Sequence, residues 1–265
     1  MPRPIPAGPD DGPAGGAARS GAGPLAPPSG ASARRTLVEE VLVVLSLSLL
    51  ASAVFSVIDM FTTPLRGATV ALYAPAPLVA QVATIAFNLA PVWLVVHLAR
   101  RSGEQLAEFG LAPARPRADA AWGVLLGLAV ASVGLGLYLA AVHLGVNRFV
   151  DPAPPLGHWW TVPLLILGAV QAGLLEEIVV VGYLVSRLER LGWAVWGAVA
   201  ASALLRGSYH LYQGWGGFAG NVAMGLLFAS IFVRWRRTWP LVTAHALIDT
   251  LAGLGYVLFH QQLPH

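Results

Sequence analysis

Six ionisable residues lie within three strongly apolar segments in the second half of the chain. They form one adjacent pair of carboxylates and two pairs spaced by four residues: Glu176 and Glu177, Arg206 and His210, and His245 and Asp249. A spacing of four puts two side chains on the same face of a helix. Ionisable groups are costly in hydrocarbon, so inside membrane segments they mark candidate functional sites. Whether these segments cross a membrane therefore decides how the residues are interpreted.

Three kinds of chemistry suit two glutamates, two histidines and an aspartate. A carboxylate deprotonates water while imidazoles orient it or stabilise an oxyanion. Two histidines and a carboxylate also resemble a catalytic zinc site, with Glu176, His210 and His245 as candidate ligands. Intramembrane glutamates and histidines equally suit a proton relay in a transporter. Spacing leaves all three open, although the absence of an HExxH motif excludes the zincin helix.

The composition is that of an integral membrane protein. Of the 265 residues, 56% are hydrophobic and only 11% are charged, and the mean hydropathy is +0.67. A soluble domain carries about 25% charged residues. Cysteine is absent, which excludes disulfides, thiolate zinc sites and cysteine nucleophiles. We expect the lipid bilayer to be the main partner of the surface, and no nucleic acid to be bound.

Seven apolar segments are each long enough for a helix that crosses about 30 Å of hydrocarbon. They cover residues 37–58, 76–99, 119–143, 161–185, 193–211, 216–234 and 239–259. Period-2 alternation is lacking, which excludes a strand barrel. The sequence therefore predicts an all-α, polytopic transmembrane bundle of about seven spans, within a range of six to eight. Residues 1–35, rich in Pro, Gly and Ala, are predicted to be a disordered cytoplasmic tail, and residues 36–265 the transmembrane domain.

The arginines are distributed unevenly between the two sets of loops. The tail and the loops after spans two, four and six carry thirteen of them, whereas the opposite loops carry only Arg66 and Arg148. Cytoplasmic loops of membrane proteins are enriched in Arg and Lys. This asymmetry predicts a cytoplasmic N-terminus in a protein of the cell membrane.

The hairpin formed by spans four and five sets the depth of the polar residues. Glu176 lies 15 residues before the turn at Leu191, and His210 lies 18 residues after Gly192. At 1.5 Å per residue, these are heights of roughly 22 and 27 Å along the hairpin. The carboxylate and the imidazole are therefore predicted to lie near one level. We expect a buried polar cluster that is reached from the cytoplasmic side.

The order of these residues resembles the CPBP family of intramembrane proteases, which includes CAAX endopeptidases and bacteriocin-processing and self-immunity proteins. The family pattern is EExxxR, then FxxxH, then HxxxN or HxxxD. Its counterparts here are Glu176–Glu177, then His210, then His245 with Asp249, and the resemblance covers about residues 160–255. It implies a membrane-embedded endopeptidase with its catalytic core at 160–255, acting on membrane protein or peptide substrates.

The resemblance also implies a role for each residue. Glu176 would be the general base on the attacking water, with His210 positioning that water and Glu177 as a supporting carboxylate. His245 and Asp249 would polarise the peptide carbonyl and hold the oxyanion. The family is often described as metalloproteases, and a metal-free glutamate mechanism is also argued for it. Zinc therefore remains one candidate cofactor, and a reaction without metal is the alternative.

Two positions depart from the family pattern, and we expect the departures to be linked. Val181 stands in place of the arginine of EExxxR, and Arg206 stands in place of the phenylalanine of FxxxH. Measured from the turn, Arg206 lies four residues farther than Val181, the same offset that separates His210 from Glu177. We predict that Arg206 replaces the missing cation in a bidentate pair with Glu177, because an unpaired buried charge is costly.

Two other functions remain open from the sequence. The first is a catalytically inactive membrane scaffold or immunity protein of the same fold, which the lost motif arginine favours. The second is a transporter or proton relay, for which inverted repeats with broken helices would be expected. No convincing repeat is present in the sequence.

Overall fold

The computed structural model describes residues 29–112 and 115–262, most of them helical. Within these ranges the α-helices are α1 (Ala31–Ser46), α2 (Leu49–Thr62), α3 (Leu78–Asn88), α4 (Ala90–Arg101), α5 (Pro116–His143), α6 (Thr161–Glu176), α7 (Leu184–Arg190), α8 (Val195–Tyr209), α9 (Trp215–Trp235) and α10 (Trp239–Phe259). Two short strands, β1 (Thr69–Ala71) and β2 (Phe149–Asp151), pair in parallel. Of the tail predicted at residues 1–35, residues 1–28 lie outside the described residues, whereas α1 begins within it, at Ala31.

The helices confirm a polytopic membrane bundle. Five continuous runs in the described chain are long and apolar enough to cross a membrane: Leu78–Arg101, Pro116–His143, Thr161–Arg190, Trp215–Trp235 and Trp239–Gln262. Helices α1 and α2 form a sixth span if they are counted together, with a bend of 55° between them. Six agrees with the predicted range. Helix α8 has 15 residues and is about 22 Å long, which is shorter than the hydrocarbon core.

The two ends of the bundle differ in composition. We call one the arginine-rich end; there α4, α7 and α9 end and α5, α8 and α10 begin, and it carries Arg100, Arg101, Arg187, Arg190, Arg236 and Arg237. We call the other the strand end. It holds the β1–β2 pair, the C-terminus of α2 and the turn after α8. The short strand pair was not expected from the sequence.

Small residues let two of the long helices approach closely. A Cβ atom on Gly123 of α5 would lie 2.7 Å from the carbonyl oxygen of Pro240, and one on Gly127 would lie 3.0 Å from that of Ala244. In lipid, helices associate through such close packing because the hydrocarbon around them is already apolar. Helix α5 consequently packs along α10, the helix that carries His245.

A π-helical segment, Glu177–Tyr183, joins α6 to α7 through the centre of the bundle. All of its residues are buried, and Val181 belongs to the main apolar core with Phe228 and Leu241. The hydroxyl of Ser202 on α8 donates a hydrogen bond of 2.7 Å to the carbonyl of Val180. This bond ties α8 to the middle of the π-helical segment, so the hairpin that carries the polar residues is fixed at its centre.

Candidate active site

The transition from α6 to the π-helical segment falls between the two adjacent glutamates. Helix α6 ends at Glu176, and the π-helical segment begins at Glu177. Hydrogen bonds from residue i to i+5 spread each turn over more residues than in an α-helix, and such segments occur frequently at functional sites. The two carboxylates contact different neighbours. Glu176 contacts the C-terminus of α8, whereas Glu177 contacts His245 of α10. The helix thus supplies both a cavity-facing and a buried carboxylate.

Arg206 of α8 lies among the polar residues and is fully buried. Its Nη2 atom is 2.8 Å from Oε1 of Glu177 and 3.4 Å from Oε2 of Glu176. The same nitrogen is 2.9 Å from Nδ1 of His245, and the guanidinium carbon lies 5.4 Å from the centre of the Phe228 ring. The pairing expected with Glu177 is present in the structure. It is made through a single nitrogen, however, and is not bidentate.

The position of Arg206 bears on whether a metal ion fits this site. Its Nη2 atom lies at the point between Glu176, Glu177 and His245 that a cation bound by these side chains would occupy. Among the described residues, no group of three or more His, Asp or Glu side chains is arranged to hold a metal ion. Glu176, His210 and His245, the suggested zinc ligands, do not form such a group in the described chain, and the guanidinium supplies the positive charge beside Glu176 and His245.

Glu176 lies at the boundary between this charged cluster and an open cavity. Its Oε2 atom accepts a hydrogen bond of 2.7 Å from the hydroxyl of Tyr209. The Nε2 atom of His210 is 3.7 Å from the same oxygen, too far for a direct hydrogen bond. The first and second motifs therefore meet at the level predicted from the hairpin. The Nε2 atom of His210 has no hydrogen-bond partner among the described residues.

The orientation of His210 is set by the turn that follows α8. The side-chain amide of Gln213 donates to Nδ1 of His210 across 3.2 Å, which leaves the proton of the neutral ring on Nε2. Gln213 also donates to the hydroxyl of Tyr212, and burial raises the pKa of Tyr212 to about 12, which keeps that hydroxyl protonated. His210 accordingly presents an N–H donor on the side of Glu176.

His245 is enclosed on both sides by carboxylates and is almost fully buried. Its Nδ1 lies 2.7 Å from Oε1 of Glu177, and its Nε2 lies 3.4 Å from Oδ2 of Asp249. When Nδ1 carries a proton it donates to Glu177, and when it does not it accepts from Arg206. Both ring nitrogens are thus engaged by protein groups. Asp249 stands on the next turn of α10, as its spacing from His245 predicted.

The cavity has a volume of about 540 Å³ and lies between α2, α6 and the C-terminus of α8. Glu176, Tyr209 and His210 line it together with Leu49, Ser52, Phe55, Ser56, Asp59, Leu72, Asn88 and Tyr212. The buried members of the cluster, Glu177, Arg206 and His245, do not line it. Asp59, Leu72 and Tyr212 belong to the strand end, so the cavity extends to that end.

Two residues outside the family pattern support the site directly. Tyr209 holds Glu176, and the only signal for this role was its position next to His210. Arg148 is fully buried at the strand end, where it pairs with Asp59 and donates to the carbonyl of Tyr212. It also donates to the carbonyls of Asp59, Thr63 and Pro64. Arg148 thereby fixes two walls of the cavity, although the sequence indicated only a loop arginine.

One family comparison identifies this part of the chain. Residues 158–251 match the family described as Rce1-like, type II CAAX prenyl endopeptidase. The matched range includes α6, the π-helical segment, α7, α8, α9 and the part of α10 that carries His245 and Asp249. No curated protein and no solved structure matches the chain.

Proposed function

Residues 158–251 form a domain of the CAAX protease family, and we propose that the chain is an intramembrane endopeptidase that cleaves membrane-associated proteins or peptides. The family is one of membrane-embedded proteases, and the helices are those of an integral membrane protein. We further propose that the protein resides in the cell membrane with its N-terminus in the cytoplasm, from the uneven distribution of its arginines.

The observation that carries the proposal is the placement of Glu176 and His210 on the wall of one cavity. Their side chains are 3.7 Å apart, and both line the space that a substrate enters. A general base has to lie within reach of the proton that it removes, directly or through one water. A water that donates to Glu176 meets that requirement and leaves the Nε2–H of His210 for the oxygen of the substrate carbonyl.

Peptide hydrolysis then proceeds in two steps. Glu176 takes a proton from water as the water oxygen bonds to the carbonyl carbon of the substrate, and the carbonyl oxygen becomes an oxyanion. The Nε2–H of His210 donates to that oxyanion, a role that the family resemblance implies for His245 and Asp249. Glu176 next delivers its proton to the amide nitrogen, the C–N bond breaks, and a new carboxyl and a new amine leave the site.

The buried residues behind Glu176 hold it in place for this reaction. Tyr209 donates to one carboxylate oxygen, and Arg206 lies 3.4 Å from the same oxygen. Glu177 and His245 in turn fix the Arg206 guanidinium, and Asp249 fixes His245. We assign these as positioning residues. The pairing passes through Nη2 of Arg206 and Oε1 of Glu177, whereas Nε and Nη1 of Arg206 and Oε2 of Glu177 have no hydrogen-bond partner among the described residues.

We propose that the reaction requires no metal ion. Arg206 already provides the positive charge between Glu176, Glu177 and His245, and a zinc ion there would have to displace it. Arg206 also bears on the alternative of an inactive scaffold. That alternative rested on Val181 in place of the motif arginine, and the paired Arg206 gives the cluster a cation from the neighbouring helix.

The test compares membranes of cells that express the parent chain, the E176Q variant or the S208A variant. Ser208 lies on the exposed side of α8 and serves as the matched control. Quantitative mass spectrometry of protein N-termini is expected to find new termini with the parent and S208A, and to find them missing with E176Q. Equal patterns of termini in the three strains, at equal levels of the chain itself, would contradict a protease function.

A further inference from the structure

Two helix breaks interrupt membrane-spanning segments and line the same cavity. The first break separates α1 from α2, and the second separates α3 from α4 at Leu89. Leu47 and Ser48 from the first break, and Asn88 and Ala90 from the second, line a cavity of about 380 Å³. Inside a membrane, irregular backbone is tolerated only where it is buried in protein or lines a water-filled cavity. Both breaks thus adjoin one cavity within the bundle.

This second cavity adjoins the cavity that contains Glu176 and His210. Leu49, Ser52 and Asn88 line both cavities. The rest of the second cavity is mostly apolar, with Leu47, Phe87, Ala90, Pro91, Leu94 and Leu175 in its walls. The shared part is therefore the place where a polar and an apolar cavity meet.

Asn88 is the one side-chain amide among the residues that line these two cavities. It is the last residue of α3, it is exposed, and it lies near the midpoint of the membrane-spanning run Leu78–Arg101. An amide at this depth is costly unless its hydrogen-bonding atoms have partners. The position of Asn88 therefore calls for polar groups that contact it.

The described chain supplies one such partner. The Nδ2 atom of Asn88 donates a long hydrogen bond of 3.5 Å to Oε1 of Gln171 on α6. Gln171 is buried and lies five residues before Glu176 on the same helix. Among the described residues, the second N–H and the Oδ1 atom of Asn88 have no hydrogen-bond partner. The amide is thus tied to the helix of Glu176 and keeps one donor and one acceptor free.

A peptide segment in the cavity carries the groups that would complete these hydrogen bonds. Each residue of an extended segment offers one N–H and one C=O, and inside a membrane these groups have little water to bond to. The free N–H and Oδ1 of Asn88 match the C=O and N–H of such a segment. Neither Leu49 nor the apolar walls of the second cavity offer a group of this kind.

We propose that Asn88 binds the backbone of the substrate, through its free N–H and its Oδ1 atom, where the two cavities meet. The peptide bond that is cleaved then lies at Glu176 in the first cavity, and an apolar side chain of the same segment enters the second. This inference rests on the proposed protease function. It adds a substrate-binding residue that lies outside the matched family range 158–251.

The test measures cleavage by the parent, N88L, N221L and E176Q as purified proteins in lipid nanodiscs. Leucine keeps the branching of asparagine and removes its hydrogen-bonding atoms. Asn221 is the matched control, because its amide donates to the carbonyl of Gly217 within α9 at 2.9 Å and it lines neither cavity. The substrates are a peptide that spans a cleavage site found from N-termini in cells, and a series of its analogues. Each analogue has an ester in place of one peptide bond other than the cleaved one, which removes a single N–H.

N88L is expected to have a kcat/KM about 10-fold or more below that of the parent, because a buried peptide group then lacks its partners. N221L should cleave like the parent. One ester should lower kcat/KM of the parent by a similar factor and cause no further loss in N88L, which a merely structural role of Asn88 would not produce. Unfolding is measured for every variant, and N88A takes the place of N88L if N88L is less stable than the parent.

Two results would overturn the assignment of Asn88. One is an equal kcat/KM in N88L and the parent, and the other is an ester series in which N88L shows the same losses as the parent at every position. Cleavage that is lost in E176Q and unchanged in N88L would overturn this inference alone. A parent that cleaves none of the peptides would overturn the protease function and this inference with it.

Discussion

The Nη2 atom of Arg206 on α8 lies 2.8 Å from Oε1 of Glu177 at the start of the π-helical segment, and both side chains are excluded from solvent. In the family pattern the cation follows the glutamates on the same helix, where this chain has Val181 in its apolar core. Compared with the family pattern, the cation therefore lies on the neighbouring helix, whereas the glutamate that it pairs with keeps its position. A buried carboxylate keeps a cation because leaving it unpaired would cost several kcal/mol.

The R206A variant is expected to lose about 3–5 kcal/mol of stability, because it leaves Glu177 buried without its charge partner. The double variant E177Q/R206M removes both charges and is expected to recover most of that loss, since replacing a whole buried pair is often nearly neutral. Both are measured by unfolding in detergent micelles, with S208A as the control on the same helix. A double variant no more stable than R206A would show that the two residues are not coupled.

The chain is expected to cleave its substrate without a bound metal. The reason is that Arg206 occupies the centre of the only cluster in the described residues that combines both glutamates with a motif histidine. Elemental analysis of the purified protein should give well below one zinc per chain, and treatment with a strong chelator should leave cleavage unchanged. Stoichiometric zinc together with loss of cleavage on chelation, restored by zinc alone, would show that the metal-free mechanism is wrong.

The two histidines are expected to behave differently when each is replaced by alanine. H210A should fold like the parent and lose roughly 100-fold or more in cleavage rate, because His210 lines the cavity and its Nε2 has no hydrogen-bond partner among the described residues. H245A should also lose stability, because it removes a buried contact of Glu177, Arg206 and Asp249. Unfolding and cleavage are measured on the same samples. Equal loss of stability in both variants would contradict the different placements.

Arg148 is expected to matter for the site although it lies outside the matched family range. R148M removes the partner of Asp59 and leaves buried carbonyls, including that of Tyr212, without their donor. We expect a loss of about 3 kcal/mol in unfolding free energy. Arg66, which is exposed at the same end, gives the matched control R66M. If R148M and R66M unfold alike, Arg148 does not hold the cavity walls together.

Residue spacing sufficed to predict the central contacts of the site. Helical rise placed Glu176 and His210 at one depth, and they lie 3.7 Å apart. The offset of four between Val181 and Arg206 predicted the contact with Glu177. Both predictions succeed because residues in two regular antiparallel helices lie at depths proportional to their distance from the turn, and because a buried charge needs a partner of opposite charge.

The remaining features depend on irregular backbone that carries no periodic signal. The bend between α1 and α2, the π-helical segment and the strand pair all depart from the repeat by which spans are recognised. The packing of the loop at Phe109 against Gly182 is likewise a contact between residues 73 positions apart. The role of Arg148 could not be predicted either, because its partners, Asp59 and Tyr212, lie in distant segments of the sequence.

The most direct test of the proposed mechanism is the cleavage rate of purified protein in lipid nanodiscs. The substrate is a peptide that spans a cleavage site found by comparing N-termini in cells. Since general-base catalysis contributes about 10²–10⁴-fold, E176Q is expected to cleave at least about 100-fold more slowly than the parent while unfolding at the same temperature. Cleavage by E176Q at the rate of the parent would show that Glu176 does not activate the water.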